Sequence, residues 1–131
     1  MGQPAAKEGD KVMATDIHIV MMPSPSGSVP TPLPHPFSGE LDGKLSSDVK
    51  IEGKAAALEG STATNKPAHV AQGPSFQSPP ADKATIQKGS SSVKINGKAA
   101  ARSGDVALTC NDPSDLPAGT VVASGTVMIG G

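Results

Sequence analysis

One fifteen-residue phrase occurs twice inside this chain and a third time split across its two ends, and that repetition limits the fold more than any other feature. Residues 46–60 read S-S-D-V-K-I-E-G-K-A-A-A-L-E-G, and residues 90–104 read S-S-S-V-K-I-N-G-K-A-A-A-R-S-G, aligned without a gap. The chain opens on P-A-A-K-E-G-D, residues 4–10, the back half of the phrase, and closes on T-V-M-I-G-G, residues 126–131, a version of its front half. Pairing the ends completes a third copy, so the expected shape is a ring of three similar units zipped by its own termini, suited to capping a threefold object. The 131 residues read as one domain, with repeat phrases at 126–131 plus 4–10, 46–60 and 90–105.

Within a phrase the local signal is a hairpin. Val93-Lys94-Ile95 runs into Asn96-Gly97, the pair best able to take positive φ at both turn positions, and Lys98-Ala99-Ala100 returns. Glu52-Gly53 turns in the equivalent place, with glutamate the less comfortable fit. The alanine runs favour helix on propensity. They span only about one turn between glycines, too short for a stable helix, so they read as strand residues where three units crowd around a common axis. Asp16 to Met22 reads as a strand with Ile17, Ile19 and Met21 on one face. Proline removes donors and fixes φ, so Pro23–Pro36, with P-S-P-S-G-S-V-P-T-P-L-P-H-P, is expected to be a stiff extended loop outside any sheet. Residues 73–81 and 112–119 read as further connections.

Composition removes several function classes. Two phenylalanines, no Trp and no Tyr leave little to build a conventional core, so rigidity has to come from closely bonded strands, a metal or a partner. A single cysteine excludes an intramolecular disulfide framework. A formal net charge of -1 without blocks of like charge offers no nucleic-acid stripe and no polybasic membrane anchor. No apolar run reaches the roughly 18 residues of a membrane span, and the first residues lack a signal peptide's apolar stretch. Synthesis in the cytoplasm without a conventional secretory route is the expectation.

Methionine aside, the soft or borderline metal ligands are His18, His35, His69 and Cys110. His18 follows Gly9 by nine residues, His69 follows Gly60 by nine and Cys110 follows Gly104 by six, so each unit sends out one candidate from an equivalent place. His35 is held between Pro34 and Pro36. Taken singly, each is more simply a solvated histidine or an inert buried cysteine. Their agreement with the repeat register makes them a set. Three imidazoles and one thiolate complete a tetrahedral zinc site with no open position, a structural site; ligand type favours zinc over iron without excluding iron.

Pro4-Ala-Ala-Lys-Glu-Gly-Asp10, Ile95-Asn-Gly-Lys-Ala-Ala-Ala-Arg-Ser-Gly-Asp105 and Met128-Ile-Gly-Gly131 resemble the PAAR-repeat family, over nearly the whole chain. The resemblance implies an all-β fold: a small cone of three pseudo-threefold hairpin repeats, closed by its terminal segments and stapled by metal at the apex. It also implies a role as the spike tip of a contractile injection machine, seated as a monomer, one per trimeric β-helical spike, with no enzymatic activity. The family's three-histidine, one-cysteine site falls on His18, His35, His69 and Cys110. The chain departs from the signature where Ala55 and Ala99 replace its proline, where arginine is present only at Arg102, and where Ser61 replaces aspartate. A phage-tail-like particle is the favoured setting, with type VI secretion as the other. Effector cargo on the tip and transient contact with a target membrane follow from that role. Two other readings stay open: a hydrolase using Cys110 with His69, or with a catalytic zinc, and a soluble adaptor presenting Pro23–Pro36 to aromatic grooves.

Overall fold

A computed structural model describes residues 2–71 and 73–130. Every regular element among them is a strand. Three two-stranded hairpins carry the repeat phrases: β4 (Lys50–Ile51) with β5 (Lys54–Ala55), β9 (Lys94–Ile95) with β10 (Lys98–Ala99), and β13 (Met128–Ile129) with β1 (Gln3–Pro4). The last of these joins the two ends of the chain, with Gln3 opposite Ile129 and Pro4 opposite Met128. Gly131, at the end of the terminal phrase, lies outside the described residues. The internal turns have the expected left-handed pair of residues, φ 53° and 84° at Glu52-Gly53 and 54° and 79° at Asn96-Gly97.

The alanines close the ring. Ala6 N–H donates to Ala101 C=O at 3.0 Å, Ala101 N–H to Ala57 C=O at 3.1 Å, and Ala57 N–H to Ala6 C=O at 3.0 Å, a cycle of one amide per unit. Bridges Ala5–Arg102, Lys7–Ala56 and Leu58–Ala100 repeat the cycle one residue on either side. Backbones this close leave room only for methyl groups, and Ala6, Ala57 and Ala101 are all buried. Below them Ile51, Ile95 and Ile129 pack with Ala5, Ala56 and Ala100.

Each unit then sends out an antiparallel pair. β2 (Lys11–Ser24) pairs with β3 (Gly27–Gly43), β6 (Thr62–Asn65) with β8 (Lys83–Ile86), and β11 (Val106–Thr109) with β12 (Leu116–Val122). β3 also pairs with β6, β8 with β11, and β12 with β2, so six strands close on themselves. Closure removes free sheet edges at this level. The interior is filled by Val12, Leu41, Ala63, Ala84, Ile86, Ala107 and Val121, small and branched residues in keeping with the scarcity of aromatics. β7 (Ser75–Phe76) adds to β2 at Val20 and Met21.

Two expectations fail here. Residues 23–36 are not a loop: β3 pairs with β2 without interruption from Lys11 opposite Glu40 to Ser24 opposite Gly27. Pro30, Pro32, Pro34 and Pro36 recur at every second residue, so all stand at one phase of the ladder, the phase whose N–H would point away from β2. β6 covers that outer side of β3 only from Gly39 onward. Four prolines therefore fit an edge strand without losing a ladder bond. The connection at 112–119 likewise ends early, since Leu116 to Gly119 belong to β12.

Candidate metal centre

Asp10 ends its ring phrase, and six residues further, about 20 Å along an extended strand, β2 turns Asp16 inward, followed by His18. The strand alternates, with Asp16, His18 and Val20 buried while Ile17, Ile19 and Met21 are half-buried on the opposite face. His35 comes from β3, where it stands directly opposite Asp16. His69 lies in the loop after β6, fixed by its backbone N–H donating to Asp82 Oδ1 at 2.8 Å. Asn65 reaches that same Asp82 oxygen through Nδ2 at 3.2 Å and accepts the Ser38 amide at 2.9 Å. Cys110 follows β11 in a segment stitched along β2: Ile17 N–H donates to Asn111 Oδ1 at 2.6 Å, Asp112 N–H to Ile17 C=O at 2.8 Å, and Ile19 N–H to Asp112 Oδ2 at 2.8 Å. Those bonds fix the height of the thiol beside His18.

The four side chains singled out from sequence thus share one neighbourhood. Cys110 Sγ is 3.7 Å from His18 Nε2. The His18 and His69 ring centroids are 4.8 Å apart, and His35 stands 5.6 and 5.7 Å from them. Phe76 covers the group, its ring 5.8 Å from His18 and 5.3 Å from His35. The tightest donor set is Asp16, His18, His69 and Cys110, one ligand atom from each, all within 4.8 Å of one another. Asp16 is the residue that sequence reasoning missed, although its position two before His18 puts it on the same strand face. The idea that each unit contributes from an equivalent place does not hold, because His18 lies within a strand, His69 in a loop and Cys110 just past a strand end.

The chemistry of these side chains suits a cation. Buried His35 Nε2 has no hydrogen-bond partner, while His18 Nδ1 stands 3.6 Å from Asp112 Oδ2 and turns Nε2 towards Cys110. His35 Nδ1 lies 2.9 Å from the Leu33 carbonyl, a contact that makes it the N–H nitrogen and leaves buried Nε2 with the lone pair. Burial, partly opposed by Asp112, holds the His18 imidazole below its ordinary pKa, so it is neutral at pH 7 as a ligand must be. Burial, reinforced by the Asp16 charge, pushes the Cys110 thiol up to about 12. That is opposite to the depressed thiol a nucleophilic cysteine needs. A divalent ion would displace its proton. A cleft lined by His35, Pro36, Asn65, Lys66, Pro67 and His69 runs beside the imidazoles and offers an entry path.

A family model for the PAAR motif matches residues 23–113. The chain belongs to the PAAR-motif family, a family of structural spike tips, and membership supports a spike-tip role in contractile injection systems in general. No curated protein matches the chain.

Proposed function

We propose that this protein caps and sharpens the trimeric spike of a contractile injection machine for envelope piercing, with one structural metal ion, zinc by ligand type, held by His18, His35, His69 and Cys110. The observation that carries this reading is the cycle of amides through Ala6, Ala57 and Ala101. One asymmetric polypeptide presents three near-equivalent hairpin edges, which is what a single chain needs to seat on a symmetric trimer.

The work is mechanical. Sheath contraction drives the tip against a target membrane, and a narrow point concentrates the force. When bound, the ion cross-links β2, β3, the loop after β6 and the segment after β11, so excursions of all three units are tied at one place. Chelation there converts binding free energy into folding free energy, offsetting the small aliphatic core. The protein then travels on the particle after synthesis in the cytoplasm, with a phage-tail-like particle favoured over type VI secretion and with the tip able to carry a separate effector as cargo.

The competing readings meet specific obstacles. A hydrolase centred on Cys110 and His69 has to ionise a thiol that its surroundings keep protonated, and an adaptor has to present a segment that is already bonded to β2 along its length. Native mass spectrometry of the tip mixed with the trimeric spike protein of its own source should give one copy per three spike chains; three copies per trimer, or no complex, contradicts the capping role.

A further inference from the structure

We infer that Asp16 is a ligand of the same ion through Oδ2, making a centre of five protein donors. This rests on the metal reading above and goes beyond its four residues. Asp16 is fully buried, and its one ion-pair partner among the described residues is His69. An isolated carboxylate is costly there unless something cationic joins it.

Its two oxygens do different jobs. Oδ1 accepts the Thr109 hydroxyl at 2.6 Å and lies 3.4 Å from Asn111 Nδ2, so the residues flanking Cys110 clamp it. Oδ2 faces the donors instead, 3.0 Å from His69 Nε2 and 3.4 Å from Cys110 Sγ. With Cys110 Sγ 3.7 Å from His18 Nε2, these separations lie on either side of the roughly 3.3–3.6 Å between neighbouring donors placed about 2.0–2.3 Å from one zinc ion in a tetrahedron, so small side-chain shifts bring them to it. Oδ2 thus already stands in the donor set; His35 is not part of that tightest set, and its buried, unpartnered Nε2, on a ring 5.6 Å from His18, is the fifth donor we assign.

Charge supports the same assignment. A thiolate alone leaves a buried divalent ion with one uncompensated positive charge. Thiolate plus carboxylate neutralise it; among the described residues no other anionic side chain belongs to the donor cluster, Asp112 meeting it only through His18 Nδ1 at 3.6 Å. A hard oxygen and a fifth position also widen the choice of metal towards divalent iron and cobalt.

The test loads metal-free full-length protein with Co(II) and reads stoichiometry, the visible d–d bands and the thiolate-to-cobalt charge-transfer band. Five donors predict weak d–d bands in the wild type and a several-fold rise in Asp16→Asn, with one ion and the thiolate band retained. His35→Ala should behave the same way, because Asp16, His18, His69 and Cys110 still complete four donors; it also keeps the test open if Asp16→Asn fails to fold. Intense four-coordinate bands in the wild type that Asp16→Asn leaves unchanged overturn the role of Asp16 alone. A wild type that takes up no cobalt overturns the metal reading itself, and this inference with it.

Discussion

The Leu58 amide donates to the Ser61 hydroxyl at 3.0 Å, in the place where the Lys7 and Arg102 amides donate to the carboxylates of Asp10 and Asp105 at 3.0 and 2.8 Å. The first and third units also close an ion pair at this turn, Lys7–Asp10 at 3.2 Å and Arg102–Asp105 at 2.9 Å. The second unit has exchanged both partners together, placing Leu58 against the aliphatic core and a neutral hydroxyl under its amide. Ser61 also donates to the Lys44 carbonyl at 2.9 Å, a bond that an aspartate cannot make.

Ser61→Ala should therefore cost about 1–3 kcal/mol, because it leaves the buried Leu58 amide without an acceptor. Ser61→Asp alone should destabilise as well, and adding Leu58→Arg should recover part of the loss. A double-mutant cycle by urea denaturation should give an interaction energy of about 1 kcal/mol or more. Additive effects would show that the two positions do not act as a pair.

Metal-free protein should have a stability plateau bounded on both sides. His18 has a lowered folded pKa, so as pH falls through the ordinary histidine value of 6.5 the unfolded chain takes up a proton first and stability drops. Cys110 has a raised one, so between 9.0 and about 12 the unfolded chain loses a proton first and stability drops again. Chemical denaturation from pH 5 to 10.5 should show both limbs. Cys110→Ser should flatten the upper limb and His18→Gln the lower; limbs unmoved by these variants would assign them elsewhere.

The prolines of β3 should act on association more than on folding. Replacing Pro30 and Pro32 by valine restores N–H groups to the outer edge of an exposed strand and gives it a pairing surface. The expected result is a melting temperature close to wild type with concentration-dependent self-association in analytical ultracentrifugation. A double variant that stays monomeric at high concentration contradicts this role.

The parts of the fold set by short-range chemistry were readable from the residues. Asn96-Gly97 fixes a turn whatever surrounds it, and the alanines between Gly97 and Gly104 fit only where backbones crowd. The β2–β3 arm was not readable, because proline spacing forbids strand only if every N–H is needed, and the need depends on which neighbour covers which edge. His18, His35, His69 and Cys110 stood out because imidazole and thiolate are rare in this chain. Asp16 did not, since carboxylates are common and its burial depends on Thr109 and Asn111 arriving from 93 and 95 residues away. The equal spacing of His18 and His69 from their glycines was a poor guide, because a strand and a loop cover different distances with the same number of residues.

Metal content tests the central claim most directly. Protein purified without chelator should contain about one ion per chain by elemental analysis. His69→Ala and Cys110→Ala should lower both metal content and melting temperature, each kcal/mol of lost stability shifting the midpoint by roughly 3–5 °C in a chain of this size. Wild-type protein that holds no metal and melts at the same temperature with and without chelator would contradict it.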